Sequence, residues 1–444
     1  MRCHWGTRIS ALLLGAMLPM GRTQSPSGAP PISLDKAIHL AEANEPSFAA
    51  AFAENRAVAL ERKDAKAGLL PSIDFHNQFL FTESNHTKSA VSQGTTSQSL
   101  PVFIANNAVH EYTSQGTVSE TIGWSGIAAV KLADANAARA EAEAEIARRG
   151  LVATVVELFY SVQSGADKLA VSARALDEAN RFLDITEKRE SAGEAAHADV
   201  LKARLGQQQR MRELADAGLA NQKADLELGV LLFADPGTKY TVVDEAAPPT
   251  LADLADVEAA ARANNPEVRS ALAAVQAGQA ETQKAWAALT PDLALNYSYG
   301  IDAPQFASHG TDGVLNRGYA ASATFDIPVW DWLTSERKVK EARIRAEASK
   351  VGLTAAQRRL LANLSEFYSE AEVAQKQLAS LDASVTDARE SLRLTTLRYT
   401  NGESTVLEVV DAQNTLVMAE NAQADGKVRY HVALAQLGTL TGRL

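Results

Sequence analysis

Glu408 and Asp411 stand three residues apart in a stretch that reads as helix, so their carboxylates share one face. Repeated around one axis by three copies, such pairs would form a ring of six carboxylates that attracts cations and raises the pKa of its members by mutual repulsion. Both residues also follow Gly402 closely, where a helix would begin and its dipole would favour carboxylates in any case. A cation-attracting site and a plain acidic helix start fit this spacing equally well. His197, two residues before Asp199, has the composition of an acid/base pair, but a solvated helix beginning near a turn is the more ordinary setting for both. No other grouping offers catalysis. The eight histidines are scattered, and the chain has no HExxH, no Cys/His cluster, no GxGxxG, no P-loop and no GxSxG. The expectation is therefore a protein that is not an enzyme and holds no metal or cofactor.

The rest of the 444-residue chain has to position these groups. Its formal charge is −11, and basic residues alternate with acidic ones along helix-like stretches instead of forming a Lys/Arg block. That pattern marks solvated helix faces and excludes a phosphate-tracking surface, so no nucleic-acid partner is expected. At the N-terminus, Arg2 and Arg8 precede an apolar run over residues 9–20 and a polar, Pro-rich stretch over 22–31. The run is too short to cross ~30 Å of hydrocarbon and reads as a signal peptide over residues 1–25, cut between about Ala16 and Ser25. Cys3, the one cysteine, lies inside it, upstream of the apolar run. A mature chain without thiols suits export to an oxidising space. No other run reaches ~18 apolar residues, so no membrane-spanning helix is expected.

The chain is written twice. Residues 34–79 match 254–299 without a gap, with Asn44-Glu45-Pro46 answering Asn264-Asn265-Pro266 and Pro71 answering Pro291, both at an offset of 220. Farther on, Gly193-Glu194 answers Gly402-Glu403, Val200 answers Val409, Ala203 answers Ala412, and Leu228-Gly229 answers Leu437-Gly438, each at 209. The mature protein is thus a tandem duplication, repeat 1 over 32–234 and repeat 2 over 252–442, joined by a linker over 235–250. Short helical segments after Leu34 and Leu254 stop at the Asn-x-Pro. Pro46 and Pro266 suit the first turn of new helices, about 46–70 and 266–289, which end at Pro71 and Pro291.

Beyond those prolines the period changes to two. Ile73, Phe75, Phe79 and Phe81 oppose Asp74, His76 and Gln78, while Leu293, Leu295, Tyr297, Tyr299 and Ile301 oppose Asn296 and Ser298. A returning strand sets Tyr319, Phe325 and Ile327 against Ser322, Thr324 and Asp326. The other return puts Val118, Ile122 and Trp124 outward, with Glu120 on that same face. Four strands, about 72–82, 112–124, 292–301 and 318–328, read as transmembrane β-barrel wall, with polar loops over 83–111 and 302–317 on the far side. Four strands cannot close a barrel, which needs about eight, and an open edge in lipid leaves bare amides. The chain must oligomerise: two copies give eight strands and a plugged lumen, three give twelve and room for a channel.

Long helices complete each repeat. Residues 127–192 are nearly uninterrupted helix formers, roughly 100 Å of helix, followed by a turn at Gly193 and a return over 195–233. The second copy runs over 335–401, turns at Gly402 and returns over 403–439. Glycine supplies the left-handed conformation such turns require, and stripes such as Val406, Val409, Val410, Leu416 and Val417 would seal helix to helix. A wall that continues from a membrane into adjoining water uses both strands and helices. A periplasmic helical-hairpin adaptor or scaffold, the alternative, leaves the strands unexplained.

Over essentially the whole mature chain this pattern resembles the TolC-like outer-membrane efflux family. The carrying residues are the paired Asn-x-Pro openings, the paired prolines before strands, and Arg398-Tyr399-Thr400-Asn401-Gly402 with Glu408-Val409-Val410-Asp411-Ala412-Gln413. Repeat 1 carries Arg189, Gly193, Asp199-Val200-Leu201 and Ala203. The resemblance implies an α+β membrane protein, a homotrimer whose shared twelve-stranded barrel sits in outer-membrane lipid and continues as an antiparallel α-helical barrel across the periplasm. It implies an exit duct of a tripartite efflux or secretion system, gated like an iris. Gly193, Glu194, Gly402 and Glu403 would form the tips that dock a periplasmic adaptor serving an inner-membrane pump of RND, ABC or MFS type. Glu408 and Asp411 would ring the periplasmic aperture, six carboxylates in a trimer, and Asp199 and Tyr399 would link neighbouring hairpins in the closed gate. Ser404 stands where a basic residue is usual, and Glu190 where an aromatic one is common, so the gate is expected to be tied differently.

Overall fold

A computed structural model describes residues 30–81, 110–243, 249–303, 305–310 and 313–442. The expected signal peptide and nearly all of the loop expected over 83–111 lie outside the described residues. Each repeat opens with the same pair of helices. In repeat 1 these are α1 (Leu34–Asn44) and α2 (Pro46–Ala67), preceded by a two-residue strand, β1 (Pro31–Ile32); in repeat 2 they are α5 (Leu254–Asn264) and α6 (Pro266–Ala287). Proline takes the first helical position of α2 and α6, where its missing N–H costs nothing. The residue before it caps the helix: the Glu45 carboxylate accepts from Ser47 N at 3.3 Å, and Asn265 Oδ1 from Val268 N at 2.9 Å. The preceding asparagine pins a distant helix end. Asn44 Nδ2 donates to Leu232 O at 2.8 Å and Asn264 Nδ2 to Thr441 O at 3.3 Å, each satisfying a terminal carbonyl of the last helix in its own repeat.

The sheet has the order β2 (Ser72–Phe81), β3 (His110–Ile122), β5 (Asp292–Ala303), β6 (Arg317–Asp326), antiparallel throughout. Register puts Ile73, Val118, Tyr297 and Ala321 on one face, and Asp74, Thr117, Ser298 and Ala320 on the other. Ile73, Phe75, Tyr319 and Phe325 stand largely exposed on the apolar face, an arrangement stable only against an apolar medium. One sequence expectation is corrected: Trp124 does not point outward from β3, which ends at Ile122, but is the first residue of the next helix. β2 and β6 each keep one unpaired edge.

Two hairpins of long helices extend from the sheet: α3 (Trp124–Ser191) with α4 (His197–Leu232), and α7 (Thr334–Thr400) with α8 (Val406–Thr441). Strand passes to helix differently in the two repeats. Between β3 and α3 stands only Gly123, where a Cβ would collide with the Asp292 carboxylate, whereas seven residues separate β6 from α7, among them Trp332 and Leu333 at φ 60°. The linker over 235–250 is not featureless: β4 (Thr241–Val242) pairs in parallel with β1 and ties the start of repeat 1 to its end.

The duplication reappears in the cores. Ala37, Ala41, Leu151, Val155 and Leu228 pack together in repeat 1; Val257, Ala261, Leu360, Leu364 and Leu437 do so at matching positions in repeat 2. Farther along the helices, the buried Glu420 of α8 accepts from Arg174 of α3 at 3.2 Å and Arg389 of α7 at 2.8 Å, tying the two repeats beside a cleft of about 560 Å³.

Candidate functional site

The hairpin turns lie at the end of the helices remote from the sheet, and both are built the same way. Gly193 and Gly402 adopt φ of 78° and 82°, a region open to glycine at little cost. Gly193 N donates to Glu190 O and Glu194 N to Arg189 O; Gly402 N donates to Tyr399 O and Glu403 N to Arg398 O. These bonds satisfy helix-end carbonyls and reverse the chain within a few residues.

A small core joins the two hairpins just above the turns. Phe182, Ala203, Leu392, Tyr399, Val406 and Val409 pack there, with Tyr399 only 4% exposed. The Tyr399 ring lies 5.1 Å from that of Phe182, and its hydroxyl meets Thr186 Oγ1 at 3.4 Å. The Arg189 guanidinium sits over the same ring, 4.8 Å from its centroid, and donates to the Tyr399 carbonyl. Arg189 also faces Glu194 at 3.6 Å. Thus α3 supplies a cation to the Tyr399 ring across the hairpins. Spacing alone could not reveal this, because Arg189 and Tyr399 are 210 residues apart in sequence.

Asp199 is half-buried in the first turn of α4 and pairs with Lys202 at 3.7 Å. It lines the same groove of about 370 Å³ as Arg189, Glu194, Tyr399 and Ser404, but Tyr399 bonds to Thr186 and not to Asp199. His197 takes Glu190 as partner at 2.7 Å, across the turn, and no acid/base pair with Asp199 forms. Glu190 occupies the position equivalent to Tyr399, so the duplicated turns carry unlike contacts.

Glu408 and Asp411 are both exposed, on the flank of α8 beside the buried Val409 and Ala412. Thr405 caps α8 by accepting from Glu408 N at 3.3 Å, and the Glu408 carboxylate accepts from Ser404 at 2.7 Å and Thr405 at 3.2 Å. The Ser404 hydroxyl first, then that of Thr405, holds the Glu408 carboxyl below its ordinary value. Within one chain the shift at Glu408 is therefore downward. Among the described residues no cluster of His, Cys, Asp and Glu is arranged to hold a metal ion.

The sheet, open at both edges, continues into paired helices with a built tip. The chain belongs to the outer membrane efflux protein family, whose sequence model matches residues 37–232 and 259–443. It is 24% identical over 407 residues to the pyoverdine export outer membrane protein OpmQ of Pseudomonas putida, covering 88% of this chain and 82% of that one. To the outer membrane protein OprJ of Pseudomonas aeruginosa it is 24% identical over 307 residues, covering 67% of this chain but 62% of OprJ, less than two thirds of that relative. The fold matches the outer-membrane channel OprN with a TM-score of 0.76 at 18% identity, covering 92% of this chain and 89% of that one. It also matches VceC from Vibrio cholerae with a TM-score of 0.76 at 19% identity, covering 92% and 96%. The fold is therefore TolC-like, the setting is the outer membrane, and the family is not one of enzymes.

Proposed function

We propose that three copies of this chain close into the exit duct of a tripartite efflux or secretion system, passively carrying substrate from an inner-membrane pump and its periplasmic adaptor to the exterior. The supporting observation is a seam made once and left half-made once. Helix α6 packs on both α7 of its own repeat and α3 of the other, whereas α2 packs on α3 with α1 at its start. Ala273, Ala280 and Ala287 of α6 are accordingly buried, while their equivalents Ala53, Leu60 and Ala67 of α2 are exposed. On the other side, Ala135 and Ala142 of α3 are buried, while Ile344 and Val351 of α7 are 63% and 71% exposed. The free faces of α2 and α7 are thus counterparts of the two faces that meet as α6 and α3. Joining them between copies, together with the β2 and β6 edges, builds a closed ring. Three copies give twelve strands and an open lumen, where two would give a filled barrel.

On this reading the hairpin tips at Gly193, Glu194, Gly402 and Glu403 meet the adaptor. Glu408 and Asp411 ring the aperture, and Asp199 and Tyr399 lie where neighbouring hairpins are tied. The selectivity of the system then rests on the pump. Paired strands with an apolar outer face weigh against the alternative of a soluble helical adaptor.

The test uses the ion pair Arg269–Glu141 of the α6–α3 seam, whose equivalents are Ala49 and Lys350. Ala49→Cys with Lys350→Cys, treated with a short bis-maleimide in membranes, is expected to give a ladder ending at three chains. Monomer alone, or a ladder ending at two, would refute the trimer, and release of the protein by salt without detergent would return it to the soluble reading.

A further inference from the structure

Glu120 is a carboxylate on the apolar face of the sheet. Register fixes its side: it stands opposite Leu295, which faces Ala323, and its neighbours in the alternation, Val118 and Ile122, stand opposite Tyr297 and Leu293. β3 is an inner strand, so a second copy pairing at β2 or β6 leaves this position uncovered. The carboxylate has no ion-pair or hydrogen-bond partner among the described residues. A bare charge in mid-membrane costs a few kcal/mol, but close to the interface almost nothing. Glu120 is two residues from the end of β3 at Ile122, hence about 5 Å inside the helix-side rim for a tilted strand. In a barrel wall that depth is the edge of the hydrocarbon, within reach of lipid headgroups.

Beside it runs a trough of about 410 Å³, walled by Leu295 and Tyr297, floored by Ala321 and Ala323 and bounded at the rim by Pro71. It exists because β6 carries alanines opposite the large side chains of β5. An unpaired carboxylate at headgroup depth, with an apolar trough leading from it along the lipid-facing wall, complements a molecule with a cationic head and a hydrocarbon tail. We propose that Glu120 and this trough bind an amine-bearing phospholipid of the ethanolamine class, the ammonium donating to the carboxylate and an acyl chain lying over Ala321 and Ala323. A primary ammonium has N–H groups to donate in a charge-assisted bond; a choline head has none, and an anionic head is repelled.

The proposal rests on the barrel reading, and its test separates the two. The detergent-purified full-length oligomer is titrated with phosphatidylethanolamine, phosphatidylcholine and phosphatidylglycerol of identical chains and weighed by native mass spectrometry. Expected is retention of the ethanolamine lipid about two- to fivefold above the other two, the range of a partly exposed ion pair. Glu120→Gln should remove that preference without changing the oligomer mass, and Ala323→Leu should displace the lipid while leaving the carboxylate in place. An unchanged preference in Glu120→Gln, equal retention of the choline lipid by the unaltered protein, or a protein cross-linked to this position in its place overturns the proposal. A wild-type chain that needs no detergent and forms no oligomer overturns the barrel reading itself.

Discussion

Arg189→Ala should open the tip far more than Tyr399→Phe. The phenol hydroxyl makes one contact, 3.4 Å to Thr186, at the outer limit of a hydrogen bond and worth no more than about 0.5 kcal/mol. Phenylalanine keeps the ring that packs on Phe182, so the ratio of closed to open tips should shift by about twofold. Arg189→Ala removes a cation over the ring, a charged donor to the Tyr399 carbonyl and the facing charge of Glu194. Glu194 is 63% exposed, so that pair is discounted almost to nothing. The other two interactions together give about 2–3 kcal/mol, or roughly 30- to 150-fold in the closed-to-open ratio. Arg189→Lys keeps the charge without the fork and should fall between. Single-channel recording of reconstituted oligomers in planar bilayers reads the open probability directly. If Tyr399→Phe opens the channel as much as Arg189→Ala, the tip is tied through the phenol and the reasoning fails.

Further outcomes are expected at the acidic pair and at the turn. Replacing Glu408 and Asp411 together by Ala should weaken cation selectivity and divalent block in the same bilayers. Because Ser404 holds the Glu408 carboxyl below the ordinary glutamate range, its charge is kept above that lowered pKa and lost as pH falls through it, so Ser404→Ala should move the loss of selectivity to higher pH. Gly402→Val should cost about 1–2 kcal/mol in thermal unfolding, because its φ of 82° lies where a Cβ clashes; Gly402→Asn should be tolerated. Gly402→Arg should abolish export while sparing oligomer assembly, and loss of assembly would make the turn merely structural.

What could be read from the sequence was whatever lies within one element or repeats at a fixed offset. Alternation from Ile73 and from Leu293 gave the strand faces, Pro46 and Pro266 the helix starts, and Gly193 and Gly402 the hairpin turns, because each is decided by a neighbour a few residues away. Four strands per chain and the duplicated halves followed from the same signals. What escaped were partners joined only by the fold. Asn44 and Asn264 read as helix stops, yet each also pins a helix end at Leu232 or Thr441. Arg189 stood in a motif with no visible partner, because its partner belongs to the other repeat. Glu420, held by arginines of two other helices, left no local trace. Trp124 continues the outward alternation of β3, and period alone cannot show that the chain becomes helical directly after Gly123.

The unequal joints between sheet and helices have a mechanical consequence. A helix of the length of α3 acts as a lever about 100 Å long, so one degree of tilt at the rim moves its far end by about 2 Å. With a single residue at its pivot, the arm of repeat 1 has little freedom to swing. The arm of repeat 2 joins the sheet through a seven-residue strap, so the sheet fixes its direction less directly, and the packing of α6 against both α7 and α3 has to hold it in line.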